Sequence, residues 1–311
     1  MSTPVVPILL CRNPDCTVAE GGRCAREAEF PDWEVSCPDL LRSGAGAVAP
    51  QVEVPSRDPA PWSGRPLEES ECEALLRRSF ARVISVLGVH DAGKTCLLTA
   101  FFLQLAQGGH DLPFRFASCL TFHGFRELAK RAEQWQGEGD VVGHTPVDPA
   151  SQGARFLHVG LRPSDPRDDR HIDVVLNDTP GEQVDAFVTH VEAPRAGALQ
   201  FLPRADGHLV VVDASKLVRD DPRLDRDMGQ LIQRVSDIAR DSNRRPPIAV
   251  VYAKMDRVSG RWPKGSERAQ REAWGELGRK SPRIWGAIER GRAVGLAVEV
   301  FGTSAFPRPL S

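Results

Sequence analysis

The stretch VISVLGVHDAGKTCLL, Val83 to Leu98, is an apolar strand that breaks into a glycine-bearing turn and restarts as a helix. Its centre, Gly88-Val89-His90-Asp91-Ala92-Gly93-Lys94-Thr95, fits a phosphate-binding loop. In that motif backbone N–H groups wrap a di- or triphosphate, the lysine reaches its terminal oxygens and the hydroxyl meets Mg²⁺. Gly88, His90, Asp91, Ala92, Gly93, Lys94, Thr95 and Cys96 are therefore the candidate anion-binding residues, and the helix that follows points its positive end at the anion. An ordinary strand-to-helix turn is the bland alternative. The apolar strand before the pattern and the apolar helix after it speak against that.

Outward from this stretch, composition sets the class. The chain has 311 residues, 41% of them apolar and 26% charged, with a formal net charge of −2. That is the profile of a globular protein, and so even a balance gives no electrostatic case for nucleic acid or an anionic membrane. The start MSTPVVPILLC lacks a secretory signal, and no apolar run nears the roughly 20 residues that span a bilayer. A cytoplasmic protein is expected, in which the seven cysteines serve as thiols or metal ligands rather than disulfides.

Three segments follow from the punctuation. Residues 1–42 hold Cys11, Cys16, Cys24 and Cys37 among Asn, Asp, Gly and Pro, too little apolar material for a core, and four thiolates on Zn²⁺ would supply the folding energy. The spacings are wider than strict CxxC pairs, so free thiols are the alternative. Residues 43–66 are rich in Pro, Gly and Ala and read as a linker. Residues 67–311 form the main domain, opening on a short helix from Leu67 to Ala81 in which Cys72 is a packing residue. Cys96 to Gln107 then reads as a helix apolar nearly all round, stopped by Gly108-Gly109, and another helix runs from Phe122 to Trp135. A polar loop follows over Gly137 to Gln152, and Phe156 to Arg162 alternates as a half-buried strand does. Short apolar strands come next at Ile172–Leu176, Gly207–Ala214, Pro247–Ala253 and Ala297–Phe301. Helical periods separate them: Leu224, Met228, Leu231, Ile232, Val235 and Ile238; Ser266 to Gly278; and Ser281 to Arg290, with Ser at its cap and Pro at its first position. Strand and helix alternation predicts an α/β fold, a mostly parallel sheet of about six strands with helices on both faces and ligands at the strands' carboxyl ends.

The order of GVHDAGKT, a polar loop with a candidate Thr, Asp178-Thr179-Pro180-Gly181-Glu182, Ala253-Lys254-Met255-Asp256 and Thr303-Ser304-Ala305 resembles the motif set of a Ras-like, translation-factor-class P-loop GTPase. Within that class the Asp-x-Pro-Gly-Glu form, the strand and helix inserted after the first helix, and the cysteine-bearing start are similar to the bacterial double-GTPase family of conflict and signalling systems. The resemblance implies GTP and GDP as ligands with Mg²⁺. Lys94 would meet the β- and γ-phosphates, Thr95 would hold Mg²⁺ and Asp178 would support it through water. The Gly181 N–H would sense the γ-phosphate. Asp256 would read the guanine edge, with the Lys254 stem along the base and the Ser304 and Ala305 backbone at O6. Thr145 is the candidate first-switch residue and Thr121 the runner-up.

Four departures from the pattern matter. Ala253 stands in place of Asn or Thr, which removes one anchor between base loop and phosphate loop and implies low affinity. Glu182 occupies the place of the water-orienting Gln, with Gln183 beside it pointing elsewhere. His90 replaces a small residue and would crowd an arginine finger from a partner. The sequence also stops soon after Phe306, short of the usual final helix. Together these imply a nucleotide-dependent switch with slow hydrolysis, and a protein partner or second GTPase. The rivals are a P-loop ATPase and a zinc-module adaptor with a non-hydrolysing nucleotide domain.

Overall fold

The computed structural model describes residues 64–108, 112–133, 154–165, 167, 168, 170–177, 179–189, 199–219, 221–258 and 267–305, and of the first 63 only 10, 11, 16, 17, 24, 25, 28, 37, 40 and 41. The chain divides into two units, Met1–Arg57 and Asp58–Ser311. In the first, strand β1 (Leu10–Cys11) pairs antiparallel with β2 (Leu40–Leu41), closing a loop within which Cys24 and Cys37 are buried and Cys16 half-buried.

The second unit is built on seven strands: β3 (Ala81–Leu87), β4 (Phe114–Ser118), β5 (Phe156–Pro163), β6 (Ile172–Asn177), β7 (Gly207–Asp213), β8 (Ile248–Ala253) and β9 (Val298–Gly302), in the order β4-β5-β6-β3-β7-β8-β9. The five from β6 to β9 run parallel, while β5 is antiparallel to β6 and β4 antiparallel to β5. The sheet therefore has one strand more than the sequence predicts, and its antiparallel edge is the pair β4–β5, whose strands are separated in the chain by the helix Phe122–Glu133.

The helices are α1 (Glu69–Leu76), α2 (Lys94–Ala106), α3 (Phe122–Glu133), α4 (Gly181–Thr189), α5 (Ala214–Val218), α6 (Pro222–Asp241), α7 (Glu267–Lys280) and α8 (Pro282–Ala293). Strand residues alternate between two cores, as a pleat requires. Val83, Leu87, Val210, Val212 and Val250 pack with Val184, Met228, Ile232 and Ile288 on one face. Val86, Leu176 and Val211 pack with Leu98, Phe102 and Phe125 on the other, where the Phe102 and Phe125 rings stack at 4.2 Å.

Three sequence expectations change in detail. Helix α2 buries only the stripe Leu98, Thr99, Phe102 and Leu105 beyond Lys94, so it lies on the sheet rather than inside it. Strand β5 is buried on both faces from Phe156 to Leu161, because Leu67 and Phe201 cover Phe156 and His158 joins a polar network. Helix α8 is capped not by Ser281, whose hydroxyl donates to Leu277 O at 2.5 Å, but by Asp225 of α6, which accepts from Arg283 N at 3.2 Å and Ile284 N at 3.1 Å. Helix α6 follows its periodicity, with Asp221 as N-cap and Leu224, Met228, Leu231, Ile232 and Val235 buried. Cys72 is a packing residue, its thiol pushed up to about 12 by burial and by the charges of Glu69 and Glu73. No helix among the described residues is long and apolar enough to cross a membrane.

Candidate functional site

The loop from Gly88 to Gly93 joins the carboxyl end of β3 to the amino end of α2. Two positions show why the sequence is what it is. A Cβ at Gly88 would stand 2.6 Å from Val211 O, so neighbouring strand β7 leaves room only for glycine. Gly93 lies at φ +96°, a conformation that costs other residues dearly. Lys94 is buried, and its Nζ donates to Gly88 O at 2.7 Å and Val89 O at 3.2 Å, which lays the ammonium across the loop.

The second motif is fastened to the first by Asn177. Its Oδ1 accepts from Val86 N–H, and its Nδ2 donates to Thr179 Oγ1 and, at 3.4 Å, to Val86 O. The backbone register of β3 with β6 ends at Ile84↔Leu176, so the side chain carries the pairing onward to the turn. Helix α4 then starts against the phosphate loop: a Cβ on Gly181 would lie 2.5 Å from both His90 N and His90 Cα. Glu182 Oε1 is 3.1 Å from His90 Nδ1, which links the phosphate loop to the acid of the second motif. Gln183 has its side-chain oxygen buried with no hydrogen-bond partner among the described residues. Asp185, which the sequence reading missed, belongs to this end as well. Burial raises its carboxyl above the usual range; Lys94 and His90 pull against that, and Glu182 and Asp227 add to it.

Asp178 and Thr145 lie outside the described residues. Thr121, the runner-up for the first switch, is a correction: it is fully buried, accepts from His158 N at 2.9 Å and donates to His158 O at 3.3 Å. Its hydroxyl stitches the start of α3 to β5 and has no path to a metal.

On the base side, β8 ends at Ala253, and Lys254, at φ +59°, turns its ammonium back over the phosphate loop. Nζ lies 2.8 Å from Asp213 Oδ2, 2.8 Å from Asp91 O and 3.3 Å from Asp91 Oδ1. Lys216 Nζ adds a contact of 3.3 Å to Asp91 Oδ2. Burial by itself would raise the Asp91 carboxyl, but Lys254 and Lys216 outweigh it and hold the group below its usual range. Burial likewise opposes the Lys254 charge, and Asp213 and Asp91 more than restore it. Ala253 brings no polar side chain to the phosphate loop, and the Lys254 contacts with Asp91 tie the two loops. Asp256 is held by Ser304, whose hydroxyl donates to Asp256 Oδ1 at 2.6 Å. The backbone bonds Met255 N to Thr303 O, 3.1 Å, and Thr303 N to Tyr252 O, 2.9 Å, fix the β9 exit with Ser304 and Ala305 beside the β8 exit.

These residues fit a nucleotide. The Lys94 ammonium lies across the loop carbonyls at the start of α2, and Thr95 stands at the second position of α2, where a hydroxyl meets a phosphate-bound Mg²⁺. Among the described residues no three or more His, Cys, Asp or Glu are grouped to hold a metal by themselves. Cys16, Cys24 and Cys37 form no disulfide among the described residues, and the side chain of Cys11 lies outside the described residues.

Comparison with known proteins adds the following. No curated protein matches. Among solved structures, the RocCORdC portion of Methanosarcina barkeri Roco2 bound to GDP is 16% identical, over 73% of this chain and 44% of that one, with a TM-score of 0.30. The S. cerevisiae Ski7 GTPase-like domain bound to GTP is 12% identical, over 75% and 45%, with a TM-score of 0.40. The Arl6 small GTPase of Trypanosoma brucei with bound GppNp is 11% identical, over 72% and 87%, with a TM-score of 0.35. This chain thus spans less than half the length of the first two. The family model of Double-GTPase 2 matches residues 82–285. The phosphate loop, the Gly181 turn and the base loop all fall inside that match, which covers more than half of the 311 residues, and the chain belongs to the Double-GTPase 2 family.

Proposed function

We propose that this chain is a guanine-nucleotide switch that binds Mg²⁺·GTP, hydrolyses it slowly to GDP, and reports its nucleotide state to a protein partner or a second GTPase in a bacterial conflict or signalling system. The observation that carries the reading is the contact of Gly181 with His90. It sets the start of α4 against the phosphate loop, where the presence or absence of a terminal phosphate decides whether the two can stay together.

In this reading Lys94 and the loop N–H groups bind the β- and γ-phosphates, and Thr95 with Asp178 would hold Mg²⁺, which neutralises charge between those phosphates. Glu182, hydrogen-bonded to His90, would face the attacking water. A carboxylate accepts hydrogen bonds but cannot also donate as an amide does, so it aligns water less fully and turnover is slow. Ser304 keeps Asp256 in place to accept from guanine N1 and the exocyclic amine. Adenine presents the wrong donors there and leaves the half-buried carboxylate short of partners.

Asp256→Asn tests base identity. The amide still accepts the Ser304 hydroxyl, yet it replaces one acceptor by a donor and so suits xanthine, which has a carbonyl where guanine has its amine. With roughly 1 to 3 kcal/mol for each mispaired buried group, GTP affinity should fall and xanthosine triphosphate affinity rise, each by about tenfold or more. Unchanged preference, or wild-type protein that prefers ATP, rejects the guanine reading.

A further inference from the structure

Four charges from four separate elements meet beside the phosphate loop: Asp91 in the loop itself, Asp213 at the end of β7, Lys216 in α5 and Lys254 after β8. Asp213 is fully buried. A lone carboxylate in that position would be very costly, so its partners define its role. Oδ1 accepts the Ser215 hydroxyl at 2.6 Å and Lys216 N–H at 3.1 Å, and Oδ2 faces the Lys254 ammonium at 2.8 Å. An ammonium has three protons. Those of Lys254 have three acceptors: Asp213 Oδ2, Asp91 O and Asp91 Oδ1.

With its donors matched and its far side against a buried carboxylate, Lys254 is confined to one position. Asp91 and Lys254 both hold left-handed backbone, at φ +61° and +59°, which disfavours any residue but glycine and, less so, Asn and Asp. Each conformation is kept by the bond to the other. The loops they belong to are 163 residues apart in the chain, and the link between them is this ammonium with Asp213 behind it.

Resting on the guanine-nucleotide reading, we propose that Asp213 is a positioning residue for that site: acting through Lys254, it locks the phosphate loop to the base loop before nucleotide arrives. It supplies the connection that Ala253 does not make. A site already assembled has less ordering cost to meet on binding, so the lock raises affinity for GTP and GDP alike and leaves the chemical step unchanged.

Asp213 also caps α5, and the test must separate the two roles. Asp213→Asn retains the cap acceptor and loses the charge. GDP and GTP dissociation constants should both rise about tenfold, a typical coupling for charges in direct contact, with single-turnover hydrolysis at saturating GTP within about twofold of wild type. Asp91→Asn, at a half-exposed site, should weaken both nucleotides in the same way. In a Lys254→Met background, Asp213→Asn should change affinity by less than about twofold. It should there raise the thermal midpoint rather than lower it, because the buried carboxylate has lost its cation. Full affinity in Asp213→Asn, or equal losses with and without Lys254, would overturn the positioning role and leave Asp213 a helix cap. A wild-type protein that binds no guanine nucleotide would refute the function above instead. The sign of the midpoint change still reads the Asp213–Lys254 pair in that case: a fall in both backgrounds removes the lock itself.

Discussion

Replacing Gly181 by alanine puts a methyl carbon 2.5 Å from His90 N and Cα and 3.0 Å from Val89 C, where ordinary contacts begin near 3.4 Å. The overlap is about 1 Å, and the atoms met are backbone, which cannot rotate aside; the start of α4 has to retreat by about that distance. Overpacking of this kind costs about 1 to 3 kcal/mol, offset in part by the roughly 1 kcal/mol by which alanine is the better helix former. The change in stability should therefore be small. The functional change should not be. An N–H moved about 1 Å from an anion falls outside hydrogen-bond range, and a bond to a charged group contributes about 1.5 to 3 kcal/mol. In the proposed switch, only a nucleotide with a γ-phosphate would make that bond. Gly181→Ala should weaken a non-hydrolysable GTP analogue by about ten- to a hundredfold relative to GDP, as read by calorimetric titration of both. An unchanged ratio would refute the assignment of α4 as the γ-phosphate sensor, whatever happens to the thermal midpoint.

Lys94→Ala should abolish GTP binding while circular dichroism stays near wild type, since the contacts of its ammonium with Gly88 O at 2.7 Å and Val89 O at 3.2 Å lie within the loop itself; undiminished affinity would reject the phosphate loop. Asp173 gives a pH signature: the His158 hydrogen bond at 2.8 Å, assisted by Ser79 and His171, holds its carboxyl at about 2 against burial, below the usual 3.8. A folded value below the unfolded one means stability that is complete above pH 4 and is lost as the pH falls toward 2, about 2 kcal/mol in all. The stability gap between wild type and Asp173→Asn should therefore close over that range in denaturant titrations, and a gap constant with pH would contradict it. In the first unit, protein purified under reducing conditions should contain about one Zn²⁺, released when Cys16 or Cys24 is replaced by serine; metal analysis that finds none would leave these cysteines as thiols.

The fold was legible wherever chemistry is local. VISVL and IAVVY are strands because β-branched runs with turn residues at their ends leave few other options, and the phosphate loop declares itself through Gly88, Gly93 and Lys94 in eight consecutive positions. What escaped depends on partners distant in sequence. Nothing near Ser281 says that α8 is capped by Asp225, 59 residues from Ile284. Alternation in β5 read as one wet face because His158 looked polar, although its Nε2 is satisfied by Asp173 and its Nδ1 accepts from Leu120 N–H at 3.0 Å. Thr121 was plausible as a switch residue for the same reason: a hydroxyl near a loop looks available until β5 takes both its hydrogen bonds. Asp213 did carry a signal, an Asp at a strand end before Ala-Ser-Lys, which predicts a helix cap. Its second partner, Lys254, had no such signal.

The two unusual residues of the phosphate loop, His90 and Asp91, are consecutive and face opposite ways. His90 meets Glu182 and the Gly181 turn; Asp91 meets Lys254 and Lys216. A loop of small residues would touch its anion and little else, whereas here each side chain is a handle for one neighbouring loop. The handles differ in strength in a way that matches their tasks. The Asp91 side backs onto a fully buried carboxylate and should persist through the nucleotide cycle. The His90 and Glu182 side chains are each about half exposed, at 46% and 56%, and a hydrogen bond so placed contributes only about 1 kcal/mol. That is weak enough for a γ-phosphate, whose interactions with the loop total several kcal/mol, to make or break it. In the proposed switch the base side would thus be fixed and the α4 side free to respond, so that the nucleotide's terminal phosphate would move one loop without loosening the grip on its base.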